Sequence, residues 1–224
     1  MYYGLDLYFL VNNIHLISKS YFLTDSMVEK KYNVAVFDFD GTLTTKDTLL
    51  EFIKFSCGIK RFCIGFALLS PFLLLMKMRL YPNGKAKEKI LSFFFKGWDY
   101  ERFSLIGHRF SKNIDSFVRK KIVSCLHDHL MRGDIVYVVT ASIEEWVRPW
   151  CIQHGVNYVL ATKMEIQNRK LTGRLSTPNC YGQEKVNRFL KMESNRTDYY
   201  LIVYGDSKGD IEMMDLADEK IYLK

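Results

Sequence analysis

The chain has 224 residues, of which 48% are hydrophobic and 25% are charged. This size and composition suit a globular protein with a sizeable core, and they exclude a wholly disordered or collagen-like chain. The net charge is +7, from 32 basic and 25 acidic residues. A basic balance favours an anionic partner, such as a phosphorylated metabolite, an anionic lipid or a nucleic acid.

The basic excess lies in one segment. Between Leu49 and Trp98 there are nine Lys and Arg residues but only two acidic residues, Glu51 and Glu88. The segment therefore holds the entire net charge, and the rest of the chain is neutral. Any function assigned to this protein has to explain why this one segment is basic.

The first residues of the chain carry no recognisable chemistry. From Met1 to about Ile17 the chain is apolar and aromatic, without the basic region and small-residue cleavage site of a secretory signal. We interpret residues 1–30 as an N-terminal extension or as a start assigned too early, because Met27 offers a second start. Five scattered cysteines without a CxxC pair favour a reducing, cytoplasmic location.

Five short apolar runs predict buried strands, and helical patterns lie between them. This alternation predicts an α/β fold with a doubly wound, mostly parallel sheet, whose chemistry lies at the carboxyl ends of the strands. In a helical pattern His127 and His129 do not share a face, so we interpret them as polar helix surface and not as a metal site. The predicted strands are Asn33–Phe39, Asp134–Val139, Asn157–Leu160, Tyr199–Tyr204 and Ile221–Leu223. The predicted helices are Ile114–Met131, Ile143–Gln153 and Gln183–Met192.

A helical insertion interrupts the alternation after the first strand. Residues 49–113 are helical in period, and we predict that they form a cap on a core made of residues 31–48 and 114–224. Within the cap, Phe62–Met76 is uncharged but shorter than the roughly 20 residues of a membrane span, and Pro71 interrupts it. A buried or interfacial helical hairpin is the favoured interpretation of this run.

Pairs of carboxylates follow two of the predicted strands. Asp38 and Asp40 follow the first strand, and Asp206 and Asp210 follow the fourth. Close carboxylates repel one another unless a cation relieves them, and Mg²⁺ prefers hard oxygen ligands. Gly41 lets the backbone approach a phosphate closely. Helix capping would explain one such pair, but the two pairs together favour a metal site.

Two further residues fit an anion site, each with a plainer alternative. Thr140 ends the second predicted strand before a helix, so its hydroxyl and the following amides could bind a phosphate or only cap the helix. Lys185 lies near the start of a helix, where the helix dipole disfavours it. It is either paired with a buried anion or a solvated surface lysine.

Four segments in this order resemble the four motifs of the haloacid dehalogenase superfamily. The DxDGT and GDSxxD forms, and the segment Ala161–Leu175, are similar to its phosphoserine phosphatase branch. The resemblance covers roughly residues 32–218. The four segments are VAVFDFDGTLT (Val34–Thr44), VVTAS (Val138–Ser142), Lys185 in NCYGQEK, and YGDSKGD (Tyr204–Asp210).

The resemblance implies a Mg²⁺-dependent phosphatase that works through an aspartyl-phosphate. Asp38 would be the nucleophile, and Asp40 would protonate the leaving group and then activate water. The residues implied around the phosphoryl group are Gly41, Thr140, Ala141 and Lys185. The residues implied at the metal are Asp38, Asp206, Asp40 through its backbone carbonyl, and Asp210 as an orienting group.

The cap departs from that of phosphoserine phosphatases. Those enzymes carry an acidic cap residue after the first motif, and only Asp47 or Glu51 lies near that place here. The long, apolar and basic cap instead favours a small anionic phosphorylated substrate. The alternative is a lipid-phosphate phosphatase like the phosphatidylglycerophosphate phosphatases of the same superfamily, touching an anionic membrane through the cap.

Two other functions come into question: phosphoryl transfer and nucleic-acid binding. Transfer of the phosphoryl group to an acceptor other than water stays open at this point. A nucleic-acid partner is not expected, because no RNA-binding or helix-turn-helix signature is present.

Overall fold

The computed structural model describes residues 30–78 and 82–223. The interpretation of residues 1–26 as an extension or a misassigned start therefore lies outside the described residues.

The centre of the molecule is a five-stranded sheet with the strand order β3-β2-β1-β6-β7. Every neighbouring pair in it is parallel. The chain changes direction across the sheet between β1 and β6, so the carboxyl ends of these two strands border a crevice. The strands are β1 (Tyr32–Phe37), β2 (Ile135–Ile143), β3 (Tyr158–Thr162), β4 (Met164–Gln167), β5 (Lys170–Leu175), β6 (Tyr199–Gly205) and β7 (Glu219–Tyr222).

Within the described residues, five α-helices lie between β1 and β2, and three follow later strands. The first four are α1 (Thr48–Cys57), α2 (Ile59–Lys77), α3 (Asn83–Phe95) and α4 (Tyr100–Ser111). The later ones are α5 (Lys120–Met131), α6 (Glu144–Gln153), α7 (Gln183–Met192) and α8 (Ile211–Asp215), with 3₁₀ turns at Ile114–Phe117 and Lys208–Asp210.

Alternate residues of β1 point to opposite faces of the sheet. Ala35 and Phe37 join a buried cluster with apolar residues of α5 and α6. Val34 and Val36 join a second cluster with residues of α7 and α8. Helices thus cover both faces of a parallel sheet, which confirms the predicted doubly wound α/β fold.

Two local predictions were wrong or incomplete. The segment Ile114–Met131 is a 3₁₀ turn followed by α5, not one helix, because Val118 is extended and forms an antiparallel bridge with Thr44. The hairpin β4–β5 was not predicted. Its turn places Asn168 and Arg169 at positive φ angles of 49° and 63°, and it packs against α3.

Helix α2 also differs from its prediction. The uncharged run forms one helix that continues through Pro71, not a hairpin. Proline cannot donate a hydrogen bond to the carbonyl four residues earlier, and here Ser70 Oγ donates to that carbonyl, Ala67 O, at 2.8 Å. No helix in the described part of the chain is long and apolar enough to cross a membrane.

Aromatic packing joins the four early helices to the rest of the molecule. The Phe52 ring of α1 stacks on Trp146 of α6 at 4.4 Å, and Phe103 of α4 meets the edge of Phe52 at 5.3 Å. All three belong to the cluster that contains Phe37. The division into a cap of residues 49–113 and a core of residues 31–48 and 114–224 stays a prediction.

His129 corrects the interpretation of the two histidines as polar surface. Its ring is buried, with Nδ1 at 2.7 Å from Asp134 Oδ2 and Nε2 at 2.9 Å from the Tyr204 hydroxyl. A buried imidazole needs partners for both nitrogens, and this arrangement supplies them. The network ties α5 to the loop before β2 and to β6.

Candidate active site

The site lies where β1 and β6 end side by side. Phe37 pairs with Tyr204 in the parallel register, and the amide of Asp38 donates to Tyr204 O at 3.0 Å. Asp206 follows β6 directly. Parallel strands with matched register end at one edge, so carboxylates 168 positions apart in the chain meet in one crevice.

Lys185 occupies the middle of this crevice. Its ammonium lies 2.5 Å from Asp38 Oδ1 and 2.6 Å from Asp210 Oδ1, and its side chain is buried. Burial alone lowers the pKa of Lys185, but the two carboxylates outweigh burial and raise it. The alternative of a solvated surface lysine is therefore wrong.

Burial raises the pKa of the carboxylates, which is the opposite of its effect on a lysine. It raises the pKa of Asp38 to about 6, although Lys185 opposes the shift. Burial also raises the pKa of Asp206, while the Thr42 hydroxyl, which donates to Asp206 Oδ1 at 3.1 Å, opposes it. Without a further cation, the negative charge at this edge is therefore only partly compensated.

Asp210 is fixed through both oxygens. Oδ1 accepts from Lys185, and Oδ2 accepts from the Ser207 amide at 3.0 Å and the Ser207 hydroxyl at 2.8 Å. With the Ser207 side chain accepting from Gly209 N, this forms a capping box. The capping alternative thus holds for Asp210, which also orients Lys185.

The acidic residues fit a divalent metal. Asp38, Asp206 and Asp210 each offer an oxygen within 4.8 Å of the others. Three carboxylates against one lysine leave an excess of negative charge, and carboxylate oxygens are the ligands that Mg²⁺ prefers. The donor set therefore matches the Mg²⁺ expected from the sequence.

The Asp40 side chain is turned away from this cluster. Its Oδ1 accepts from the amide of Thr48 at 3.0 Å, and its Oδ2 accepts from the Ser142 hydroxyl. Burial, and then the charge of Asp47, raise the pKa of Asp40 to about 7. The carboxyl is thus held by the start of α1 and the end of β2, separate from the cluster of Asp38, Asp206 and Asp210.

Gly41 cannot be replaced by a larger residue, because the Asp206 side chain lies against it. Its φ is +84°, and a Cβ there would lie 2.1 Å from Asp206 Oδ2. Its carbonyl accepts from Arg119 Nε at 2.7 Å. Any larger residue would displace the Asp206 carboxylate from the acidic cluster.

Thr140 is not at the end of its strand. β2 continues to Ile143, and α6 begins at Glu144. The prediction that Thr140 caps α6 or lies at its N-terminus is therefore wrong. The pairing of β2 with β3 is irregular between Val139 and Ile143. In this irregular stretch the Thr140 hydroxyl accepts from the Ser142 amide at 3.0 Å.

Sequence reasoning missed Lys87 as an individual residue. It reaches from α3 to the β2 end of the crevice, where its ammonium donates to Ala141 O at 2.7 Å and to Asn179 Oδ1 at 3.2 Å. Burial lowers the pKa of Lys87, while Asp40 and Asp47 oppose the shift. Its only signal in the sequence was the basic excess of the segment Leu49–Trp98.

The two acidic candidates after the first motif are engaged at the surface of α1. Asp47 Oδ1 accepts from the Leu50 amide at 3.0 Å and caps the helix. Glu51 pairs with Lys54 at 2.7 Å. Both carboxylates already have structural partners, which fits the departure from phosphoserine phosphatases seen in the sequence.

A parallel α/β sheet with a carboxylate cluster and a buried lysine at its switch point is suited to an enzyme that acts on phosphorylated compounds. The model of the haloacid dehalogenase-like hydrolase family matches residues 35–215. The chain belongs to this family, and it is an enzyme.

Two curated relatives are similar to this chain over most of its length. Protein CicA of Caulobacter vibrioides is 31% identical over 209 residues, which are 92% of this chain and 92% of the relative. A probable phosphatase of Mycobacterium tuberculosis is 26% identical over 187 residues, which are 81% of this chain and 65% of the relative.

Solved structures share the fold. A Bordetella pertussis protein of unknown function superposes with a TM-score of 0.73 at 20% identity, covering 86% of this chain and 90% of that one. A phosphoserine phosphatase in its apo form gives 0.58 at 21% identity, covering 86% of each chain.

Proposed function

We propose that this enzyme is a Mg²⁺-dependent phosphatase that hydrolyses a small anionic phosphomonoester through an aspartyl-phosphate on Asp38. The observation that carries the proposal is the buried Lys185, paired with Asp38 and Asp210 beside Asp206. A buried cation among three carboxylates provides a place for a phosphoryl group and a divalent metal together.

The first chemical step uses the two carboxylates of the DxD motif. An oxygen of Asp38 attacks phosphorus, and the bond from phosphorus to the leaving oxygen breaks. Asp40, held by Thr48 and Ser142, gives its proton to the leaving oxygen. The products are a free alcohol and a phosphorylated Asp38.

The second step regenerates the enzyme. Water attacks the phosphorus of the acyl phosphate and gives a proton to Asp40, and phosphate leaves with the oxygen of water. The Asp38 carboxylate is restored, and Asp40 is again an acid. Splitting the reaction in this way replaces one difficult displacement by two easier ones.

Positive charge and hydroxyl groups stabilise the phosphoryl oxygens in both steps. Lys185 supplies a fixed ammonium, and Thr140, whose oxygen already accepts from Ser142, can donate its own proton. Mg²⁺ held by Asp38, Asp206 and the carbonyl of Asp40 would neutralise further charge. Gly41 and Ala141 supply backbone close to the phosphate.

Lys87 supports an anionic leaving group. It is a cap residue, and it carries a positive charge to the part of the crevice that contains Ala141. A carboxylate or second phosphate on the leaving group would replace the Ala141 and Asn179 oxygens as its partner. This gives the basic cap a role in choosing the substrate.

Asp38→Asn tests the reaction. We expect no turnover with any member of a panel of phosphorylated metabolites and lysophospholipids in the presence of Mg²⁺, because the amide cannot act as nucleophile. Circular dichroism should show a retained fold. Wild-type-like phosphatase activity in this variant would refute the proposal.

Lys87→Met tests the leaving-group assignment. We expect kcat/KM for anionic substrates to fall by about tenfold or more, and that for p-nitrophenyl phosphate, whose leaving group lacks a second anion, to change little. Lys85→Met is the matched control, because Lys85 is exposed on the same helix and pairs with Glu88. Equal losses on both kinds of substrate would contradict the assignment.

A second candidate substrate class is lipid phosphates. It is favoured by the exposed apolar residues of α2, and the lysophospholipids in the same panel test it.

A further inference from the structure

Helix α2 has an apolar face that the described residues leave uncovered. Ile64, Leu68 and Leu74 are 60%, 62% and 59% exposed. A single exposed leucine is ordinary, but a row at helical spacing along a 19-residue helix is not. The exposed residues that complete this outer face of α2 are Lys60, Cys63, Ala67 and Pro71, and the exposed Met78 follows directly after the helix.

The opposite face of α2 is packed in the ordinary way. Leu69 is buried, and the Phe66 ring lies 5.8 Å from that of Phe94 on α3. Gly65 lets the helices approach, since a Cβ there would lie 2.3 Å from Phe94 Cζ. A helix that is apolar all round is normally covered on all sides. The outer face of α2 therefore calls for an occupant.

The charges in the sequence around α2 have one sign. From Phe52 to Lys87 the sequence contains no Asp or Glu and seven basic residues. Lys60 is exposed on the first turn of α2, and the ammonium of Lys89 on α3 lies 5.4 Å from the Phe72 ring centroid. An apolar stripe bordered by Lys and Arg is typical of helices that lie in the interface of an anionic membrane.

We propose that the outer face of α2 docks into the headgroup region of an anionic lipid bilayer, with the helix axis parallel to the surface. The helix lies on the membrane and does not span it, because α3 holds its other side. The apolar row enters the boundary between headgroups and acyl chains. The exposed ammonium groups beside it, that of Lys60 among them, contact lipid phosphates.

Charge complementarity favours a lipid surface over another occupant. A second copy of this chain would bring one basic border against another, and like charges oppose such a contact. A bilayer offers both a hydrocarbon interior for the row of apolar side chains and a dense layer of negative charge. It satisfies the apolar and the basic parts of this face together.

Docking would act on the helix that carries Lys87. α3 contacts α2 through Phe94 and reaches the crevice through Lys87. An attached α2 therefore fixes α3 at the membrane. The docking proposal does not depend on the reaction proposed above.

Co-sedimentation of the full chain with vesicles tests the proposal. We expect binding to vesicles of phosphatidylcholine with phosphatidylglycerol at low salt, little binding to phosphatidylcholine alone, and a decrease as salt is raised. An environment-sensitive dye on the exposed Cys63 should shift to shorter wavelength with the anionic vesicles.

The double variant Ile64→Glu/Leu68→Glu should bind anionic vesicles about tenfold or more weakly, because two carboxylates enter the apolar row. Leu105→Glu/Met131→Glu is the matched control, with side chains 52% and 78% exposed on other helices. It should bind like the wild type. Hydrolysis of p-nitrophenyl phosphate should be unchanged in both, which separates loss of docking from loss of fold or activity.

Four results would overturn the proposal. One is the absence of binding to anionic vesicles at low salt, and another is equal binding by the two double variants. A third is a wild-type dimer in lipid-free solution that Ile64→Glu/Leu68→Glu converts to a monomer, which would assign the face to a second copy. The fourth is binding by a chain that begins at Met27 but not by the full chain, which would assign the face to the first residues of the chain.

Discussion

The carboxyl edge of the sheet and the outer face of α2 depart from the usual distribution of side chains in opposite ways. At the sheet edge, charged groups are buried, and Lys185 has a partner on each side. On α2, apolar groups are exposed, and the described residues leave Ile64 and Leu68 uncovered. Burying charge and exposing apolar surface both oppose folding, so each arrangement indicates function.

The two regions differ in how far the rest of the chain compensates them. The buried charges are largely compensated within the chain, and a divalent cation would complete the compensation. The exposed apolar row has no compensation among the described residues and needs a surface from outside. The first region is thus prepared for a small ligand, and the second for an extended partner.

The largest effect is expected from removing the central cation of the sheet edge. Lys185→Met leaves Asp38 and Asp210 buried without their shared partner, which should lower the free energy of unfolding by about 3–5 kcal/mol. Urea unfolding measures the loss. Lys191→Met, at an exposed position on the same helix, should change little.

A second variant shows whether the loss comes from uncompensated charge. Asp38→Asn in the Lys185→Met background should restore part of the stability, because one of the two orphaned carboxylates becomes neutral. Greater instability of the double variant would show that packing, and not charge, determines the effect.

Neighbouring leucines of α2 test the contrast between its two faces. Leu69→Ala should destabilise the fold by about 2–4 kcal/mol, because its side chain is only 7% exposed and its removal leaves a cavity. Leu68→Ala should stay within about 0.5 kcal/mol of wild type in the absence of lipid. Similar losses for the two in thermal unfolding would mean that the outer face is already covered.

Among the three destabilising single variants, the smallest loss of stability is expected at Gly41. Gly41→Ala should cost about 1–3 kcal/mol and lower phosphatase activity, because the new methyl group displaces Asp206 and the residue must keep a positive φ. Gly133→Ala isolates the backbone contribution, since its φ is +80° but no atom lies within 4 Å of the new Cβ. Activity should fall in the first variant alone, and equal kinetics in the two would contradict the steric argument.

Much of the candidate site could be predicted because its chemistry is local in sequence. Asp38 and Asp40 follow a recognisable buried strand, and Asp206 and Asp210 follow another. A parallel sheet brings such strand ends together, so pattern and topology were sufficient. Thr140 was harder, because β2 continues past its predicted end at Val139 to Ile143, with irregular pairing to β3.

By itself, the sequence determined the α/β fold, the carboxylate pairs and the basic segment, because each depends on residue type and spacing along the chain. Only the tertiary structure decided which lysine of the basic segment reaches the crevice, and which face of the apolar run stays exposed. Both depend on how α2, α3 and the sheet pack together, and side-chain packing between distant segments leaves no periodic signal in the sequence.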